Sequence, residues 1–179
     1  MKRKSQVQQA SLWKRGLAYA IDWYISSVLI SIPVMMMHNH MFSTPSYIMN
    51  LQVFPFINAC FLLFVCIGIT FLYFIWIPYR YNGKTLGKKI MGIKIIKISN
   101  EKLTLSCLCL RYFIAGMLVE GSLYAITPLI LQVVFYNYSQ IIQYIVYGYY
   151  IITLVSIGCL VFRKKAIHDM FAKTMIVQG

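Results

Sequence analysis

Four long apolar runs, separated by shorter polar segments, dominate the chain. They cover residues 17–37, 53–77, 112–136 and 141–162. A helix needs about 20 apolar residues to cross the hydrocarbon core of a bilayer, and each run is that long. The pattern therefore predicts an all-α membrane protein, with a bundle of about four transmembrane helices in a single domain over residues 1–179.

The basic residues predict how these helices are oriented. All 17 Lys and Arg residues lie outside the runs: five precede the first, eight lie between the second and third, and four follow the fourth. The connectors 38–52 and 137–140 carry none. Because Lys and Arg mark the cytoplasmic side of short membrane loops, we predict a multi-pass protein of the bacterial inner membrane. Both termini, the basic loop 79–111 and the tail 163–179 are then cytosolic.

Composition narrows the class of protein. At 60% hydrophobic and 12% charged residues, the chain is too apolar for a soluble domain. Its net charge of +13 lies beside the apolar runs, where anionic lipid headgroups are the expected partner rather than nucleic acid. The sequence has no P-loop and no hydrolase or zinc-protease signature, so we expect no catalytic residues, no cofactor and no enzymatic activity.

Cysteines and histidines raise the question of a metal. The five cysteines lie in or beside predicted helices, and their odd number argues against a disulfide framework. His38 and His40 stand among methionines after the first run, and these soft ligands are an alternative site for copper or zinc. Since nothing in the sequence fixes a coordination geometry, we expect no bound metal.

The basic loop is the main element predicted outside the spans. Asn82 and Gly83 indicate a turn, and Thr85 is placed to cap a short helix through Met91. Residues 93–98 and 174–177 have strand composition, and we predict that they pair as a small sheet, with 103–105 as a candidate further strand. The alternative is an irregular basic tether.

Either of two roles suits this loop: a staple across helix ends, or a surface for a protein partner or anionic lipid. Leu86 and Ile90 are expected to face lipid and Lys88 to face water, while Lys89 extends to the headgroups. The residues predicted to form the contact surface are Gly83, Thr85, Gly87, Lys88, Lys89 and Gly92.

Acidic residues are scarce, with only Asp22, Glu101, Glu120 and Asp169 in the chain. Asp22 and Glu120 lie in predicted spans, about 10 and 13 Å deeper than Arg15 and Arg111, so one polar pocket is expected to hold both acids. A buried carboxylate needs a partner. For Asp22 we expect an arginine of a neighbouring helix or a group in the tail, and for Asp169 we expect Arg15 or Arg111.

These five residues form the predicted functional polar cluster: Arg15, Asp22, Asp169, Glu120 and Arg111. Two roles remain open for it. Its acids carry protons or cations along a transport path, or they pin helices together through hydrogen bonds.

Three segments give a resemblance to a known family. Residues 13–22 contain Arg15 and Asp22 seven positions apart, residues 83–95 are rich in glycine, and residues 168–174 begin with His-Asp. Together they resemble the RDD family of bacterial membrane proteins, named for one Arg and two Asp. The resemblance implies that Arg15, Asp22 and Asp169 are the name-giving residues. Some members are proposed to exchange sodium or protons, and others to assist membrane-associated protein partners.

The leading functional hypothesis is a non-enzymatic accessory or regulatory subunit of a membrane complex, bound to a membrane protein partner or to copies of itself. One alternative is a small proton- or sodium-coupled transporter that uses Asp22 and Glu120. A second alternative is immunity to a membrane-active peptide.

Overall fold

The computed structural model describes residues 8–43, 49–99, 101–121, 125–163 and 166–179, without the side chains of residues 118–120 and 163. Three of the five basic residues before the first run, Lys2, Arg3 and Lys4, lie outside the described residues, as do Lys164 and Lys165. The described chain is mostly helical with one two-stranded sheet.

Within the described ranges, three helices are long and apolar enough to cross a membrane. They are α1 (Leu12–Phe42), α2 (Phe56–Arg80) and α6 (Ser139–Arg163). The Ser11 hydroxyl caps α1 by accepting a hydrogen bond from the Lys14 N–H, as expected for a serine at this position. The helix extends five residues past each end of the predicted run 17–37 and continues through Pro33.

The third run, residues 112–136, is not one helix among the described residues, and the predicted count of four spans is not confirmed. A helix, α4, is formed by Leu105–Cys109 and Leu110–Glu120, and a second helix, α5, covers Ile126–Val134. Between them Gly121 has a φ of +34°, outside the helical range. Pro128 lies in the first turn of α5, where its missing N–H leaves no helical bond unmade.

In the part of the chain that the structure describes, two stretches of helix have wider, π-type turns. In α2 these turns cover Leu72–Trp76, where the Ile77 N–H donates to the carbonyl of Leu72, five residues earlier. In α4 they cover Leu110–Glu120. Such turns are uncommon and often lie at functional sites. Here they carry Tyr73 in α2 and Arg111 in α4, both of which reach the site described below.

The predicted pairing of the loop with the tail is confirmed. Strand β1 (Ile93–Lys97) runs antiparallel to β2 (Thr174–Gln178), with Ile95 opposite Ile176. Gln9 also pairs with Val177, so residues 8–10 run alongside β2. We call this part of the molecule the sheet end.

The further strand predicted at 103–105 is absent from the described chain. Thr104 instead caps α4, since its hydroxyl accepts a hydrogen bond from the Cys107 N–H, and Leu105 is already helical. Two short helices complete the sheet end. Helix α3 (Leu86–Ile90) packs on α1, and α7 (Ile167–Phe171) packs on α4.

Candidate functional site

Asp22 is buried inside α1, and four donors surround its carboxylate. Oδ1 accepts hydrogen bonds from the Tyr73 hydroxyl at 2.7 Å and from the Gly87 N–H at 2.8 Å. Oδ2 accepts from the Thr85 hydroxyl at 2.5 Å and from the Lys88 ammonium at 3.2 Å. These donors come from α2 and from the start of α3, so one carboxylate joins three elements.

Glycine at position 87 allows α3 to approach α1 this closely. A Cβ added there would lie 2.3 Å from the carbonyl oxygen of Ala18 and 2.9 Å from the carboxyl carbon of Asp22. Any side chain would push the two helices apart and withdraw the Gly87 N–H. Thr85 fixes the same geometry from the helix start, where its hydroxyl accepts from the Lys88 N–H as the predicted cap.

Asp169 forms the centre of a second buried cluster. Its Oδ2 accepts from the Arg15 guanidinium at 2.8 Å, and its Oδ1 accepts from the guanidinium of Arg111. Arg111 also donates to the Thr174 hydroxyl, which lies 3.3 Å from Asp169 Oδ1. The cluster therefore ties α7 to α1, to α4 and to the first residue of β2.

Tyr112 lies between the two clusters. Its ring centroid is 5.8 Å from Lys88 Nζ and 5.6 Å from the guanidinium carbon of Arg111, which are cation–π distances. The Phe74 ring packs 5.3 Å from Tyr112 and 5.0 Å from Tyr73. A continuous row of aromatic rings thus connects the Asp22 cluster to the Asp169 cluster.

The pKa shifts concern one charged group in each cluster, Lys88 and Asp169. Burial alone would lower the pKa of Lys88, but the neighbouring oxygens of Tyr112 and Asp22 raise it above its ordinary value. Burial alone would raise the pKa of Asp169, but Arg111, His168 and Arg15 hold it below its ordinary value. Lys88 and Asp169 are therefore ionised at neutral pH.

A cavity of about 300 Å³ lies beside the clusters, between α1 and α6. Its charged lining consists of Arg15, Asp22, Lys88 and Arg111. Its apolar lining includes Tyr19 of α1 and Ile157 and Leu160 of α6.

The structure brings together most of the predicted polar cluster. Asp169 contacts both Arg15 and Arg111, so its predicted docking is confirmed. The expected partner of Asp22, an arginine or a group in the tail, is wrong, because Lys88 of the loop occupies that position. The Glu120 side chain, and with it the pocket predicted to be shared with Asp22, lies outside the described residues.

The predicted contact surface on the loop needs correction. Lys88 was expected to face water, but it is 8% exposed, because Asp22 draws its ammonium group into the bundle. Gly83, Thr85 and Gly87 are buried as well, since they pack against β1 and α1. Lys89 and Gly92 are exposed and remain available for contact. Leu86 and Ile90, which were expected to face lipid, are exposed.

Sequence reasoning missed the neutral members of the clusters. Tyr73 lies inside the second apolar run, Thr174 in a predicted strand, and Tyr112 at the start of the third run. Their one signal was a hydroxyl at the edge of an apolar run, which is too common to single them out. The described residues include no group of three or more His, Cys, Asp or Glu side chains able to hold a metal.

Long apolar helices with ionised residues neutralised among them define a helical membrane protein. The family model for the RDD family matches residues 9–173, nearly the whole chain, and the protein belongs to that family. The resemblance drawn from residues 13–174 is thereby confirmed. No curated protein and no solved structure matches the chain.

Proposed function

We propose that this protein is a non-enzymatic accessory or regulatory subunit of a membrane complex. The observation that carries the proposal is an uncovered face of α6. Tyr144, Tyr147, Ile151 and Leu154 follow at spacings of three or four residues and are 62–76% exposed. This spacing places them on one side of the helix, where they form a continuous stripe.

Helix α6 contributes less than the other long helices to the packing of its own chain. In the apolar 18-residue stretch of each long helix, 11% of α6 is buried in the molecule, compared with 22% of α1 and 33% of α2. Lipid can cover the aliphatic part of the stripe, but the tyrosine hydroxyls favour a polar partner. Helices in membranes associate through close packing and interhelical hydrogen bonds, which such a stripe can supply. A helix of another membrane protein is therefore the occupant that we propose.

The buried charges support this role over cation transport. The Asp22 carboxylate has four donors, and Asp169 is bound to two arginines. A carboxylate that carries protons or sodium has to exchange its partners, whereas these partners are fixed by packed elements. Immunity to a membrane-active peptide has no specific support among the described residues.

For orientation, we infer that the sheet end faces the cytosol of a bacterial cell, at the inner membrane. Residues 8–10, β1 and β2 meet there, and β1 itself carries Lys94 and Lys97. Basic residues beside apolar helices favour the cytoplasmic side.

In-cell photo-cross-linking tests the proposal. A photoreactive residue placed at Tyr147 or Leu154 is expected to give a discrete protein adduct, identified by mass spectrometry after mild-detergent purification. Matched controls are Ile57 and Phe64, which are 80% and 76% exposed on α2. They are expected to cross-link only to lipid.

Two results would change the conclusion. Equal protein adducts from α2 and α6 would contradict the proposal that the α6 face is the binding surface for a partner. An adduct between two copies of this chain, with no other protein, would indicate a homo-oligomer and favour the transport alternative, because a path forms more easily between protomers.

A further inference from the structure

We propose that a cavity at the sheet end binds one anionic phosphate group, supplied either by a lipid headgroup or by a soluble phosphate. The cavity has a volume of about 500 Å³ and lies where the end of α2 meets β1 and the segment before α4. Its charged lining consists of Arg80, Lys94, Glu101 and Lys102. The lining includes no residue of the α6 stripe, so this site does not depend on the partner proposed for α6.

Backbone contacts build the walls of this cavity. Asn82 and Gly83 have positive φ angles of 51° and 80°, and the Gly83 N–H donates to the Pro78 carbonyl at 2.7 Å, which reverses the chain after α2. The Gly83 carbonyl accepts from the Ile95 N–H at 2.9 Å and so joins this turn to the edge of β1. A Cβ on Gly83 would lie 2.8 Å from the Leu103 side chain, so the third wall packs against the same turn. Packed elements therefore fix the shape of the site.

The basic side chains of the lining have no carboxylate bound to them. Among the described residues, no ion pair includes Arg80, Lys94 or Lys102. The one carboxylate in the lining, that of Glu101, lies 3.4 Å from the ammonium of Lys97. The three cations are therefore available to an external anion.

The other acidic residues of the chain lie elsewhere. There are four in all, and two of them, Asp22 and Asp169, are buried in the clusters described above. The third, Glu120, ends α4, whose first residue is Leu105. At about 1.5 Å of rise per residue, these two ends of the helix are roughly 20 Å apart. A side chain cannot cover that distance, so Glu120 does not neutralise the cavity beside Leu103.

This set of donors suits a phosphate group. The guanidinium of Arg80 can donate two parallel hydrogen bonds to phosphate oxygens, and the ammonium groups of Lys94 and Lys102 add positive charge. A phosphomonoester carries a charge of about −1.5 to −2 near pH 7, more than one carboxylate supplies. A zwitterionic headgroup is disfavoured, because its own ammonium would be repelled by the three cations.

The aromatic residues at the end of α2 indicate the depth of the site. Trp76 and Tyr79 are 48% and 43% exposed, and their ring centroids are 6.2 Å apart. Exposed Trp and Tyr side chains at the end of an apolar helix lie at the level of the lipid headgroups. Because Tyr79 itself lines the cavity, the site lies at that level, within reach of both lipid phosphates and the aqueous phase.

Native mass spectrometry of the full chain in a neutral detergent tests the site. The probes are a short-chain phosphatidic acid and a phosphatidylcholine with the same acyl chains. The double variant Arg80→Gln/Lys102→Gln removes two cations from the lining. The matched control is Lys89→Gln/Lys173→Gln, which removes the same charge from exposed lysines of the sheet end that do not line the cavity.

We expect the wild type and the control to bind one phosphatidic acid per chain in preference to phosphatidylcholine. Arg80→Gln/Lys102→Gln is expected to bind it at least about tenfold more weakly, with unchanged thermal unfolding, because no ion pair among the described residues is lost. Equal binding of the two lipids by the wild type would overturn the proposal. Equal weakening in the two double variants would also overturn it, since total charge alone would then explain the binding.

Glu101→Gln gives a test of opposite sign. It removes the one carboxylate of the lining and releases Lys97, so phosphatidic acid is expected to bind several-fold more tightly. A purely structural role of Glu101 would not raise the affinity. Weaker binding by this variant would contradict an anion site in this cavity.

Competition with inorganic phosphate separates the two sources of the ligand. Displacement of phosphatidic acid by inorganic phosphate assigns the site to soluble phosphates, since the phosphate group alone is then sufficient. Resistance to inorganic phosphate, together with the loss of binding in Arg80→Gln/Lys102→Gln, assigns it to a lipid headgroup. Binding of neither probe by the wild type would overturn both assignments.

Discussion

The Asp22 carboxylate is stable inside a bundle of apolar helices because four donors replace the water that it would otherwise bind. Three of these donors are uncharged groups of Tyr73, Thr85 and Gly87, and the fourth is the ammonium of Lys88. The Lys88 ammonium, in contrast, has the Asp22 carboxylate as its counter-ion, so its charge depends on Asp22.

Asp22→Asn is expected to destabilise the protein by about 3–5 kcal/mol, because it leaves the buried Lys88 ammonium without a counter-ion. The measurement is denaturant unfolding in detergent. Adding Lys88→Met should recover much of the loss, since the second change removes the unpaired charge. Glu101→Gln is the control, because its pair with Lys97 is exposed and is expected to contribute less than about 1 kcal/mol. Additive losses in the double variant would contradict this account.

Asp169 is expected to make stability depend on acid pH. Its folded-state pKa lies below the ordinary value of 3.8, so its contribution is fully present above that pH and is lost as the pH falls through the lower, folded-state pKa. The melting temperature should fall in this acid range for the wild type. The fall should be smaller for Asp169→Asn, and an equal fall in both proteins would show that other groups are responsible.

The charged members of the site could be predicted from the sequence, but their pairing only in part. A charge inside an apolar run is conspicuous, and this singled out Asp22. Arg111 stands directly before the third run and Asp169 follows the fourth, so they were recognised as charges beside the spans. The sequence did not show that Lys88 turns inward, because a lysine in a basic loop normally faces water. That choice depends on the approach of α3 to α1, which is a tertiary contact.

At the scale of elements, α3 is a five-residue helix held in place by what it donates to α1. An isolated helix of this length is unstable in water, so its stability comes from the Thr85 cap and the contact with Asp22. Gly87 allows that contact.

Gly87→Ala is expected to destabilise the protein by about 1–3 kcal/mol, although alanine favours helix more than glycine does. The added Cβ would lie 2.3 Å from the Ala18 carbonyl oxygen and would separate α3 from α1. Gly68→Ala in α2 is the control, since its Cβ meets nothing within 4 Å, and it should be neutral or stabilising. The measurement is thermal unfolding of both variants in the same detergent. A Gly87→Ala protein as stable as the wild type would contradict the close packing of α3 on α1.

Among the elements, the sheet could be predicted, whereas the division of the third apolar run into two helices could not. Residues 93–98 and 174–177 are rich in β-branched side chains and flanked by turn residues, which gave the pairing. By hydropathy, residues 112–136 form one apolar run, because hydropathy carries no information on the backbone conformation at Gly121 and Pro128. Those two residues do mark the break, but a proline or glycine is often tolerated inside a membrane helix.

At the scale of the whole molecule, three segments distant in sequence meet at the sheet end: residues 8–10, β1 and β2. Asp169 and Thr174 connect this end to the helices through Arg15 and Arg111. The sheet and the helices therefore form one connected unit.

Cysteine labelling tests the orientation inferred for this unit. In a variant without native cysteines, single cysteines at Gln8, Lys94 and Gln178 are expected to react with a membrane-impermeant maleimide only from the cytosolic side. Tyr138→Cys, in the exposed turn between α5 and α6, should react only from the opposite side. Labelling of Gln8→Cys and Gln178→Cys from opposite sides would contradict the shared location of the three segments.

The contact between Arg15 and Asp169 spans 154 residues of sequence, and this sets an order of events during synthesis. Arg15 leaves the ribosome at the beginning of the first helix, long before its counter-ion is translated. The early helices must therefore enter the membrane while both arginines of the cluster still depend on water or lipid phosphates. The final arrangement becomes available only when α7 emerges, so we expect the nascent chain to remain loosely packed, and open to insertion factors and proteases, until that moment.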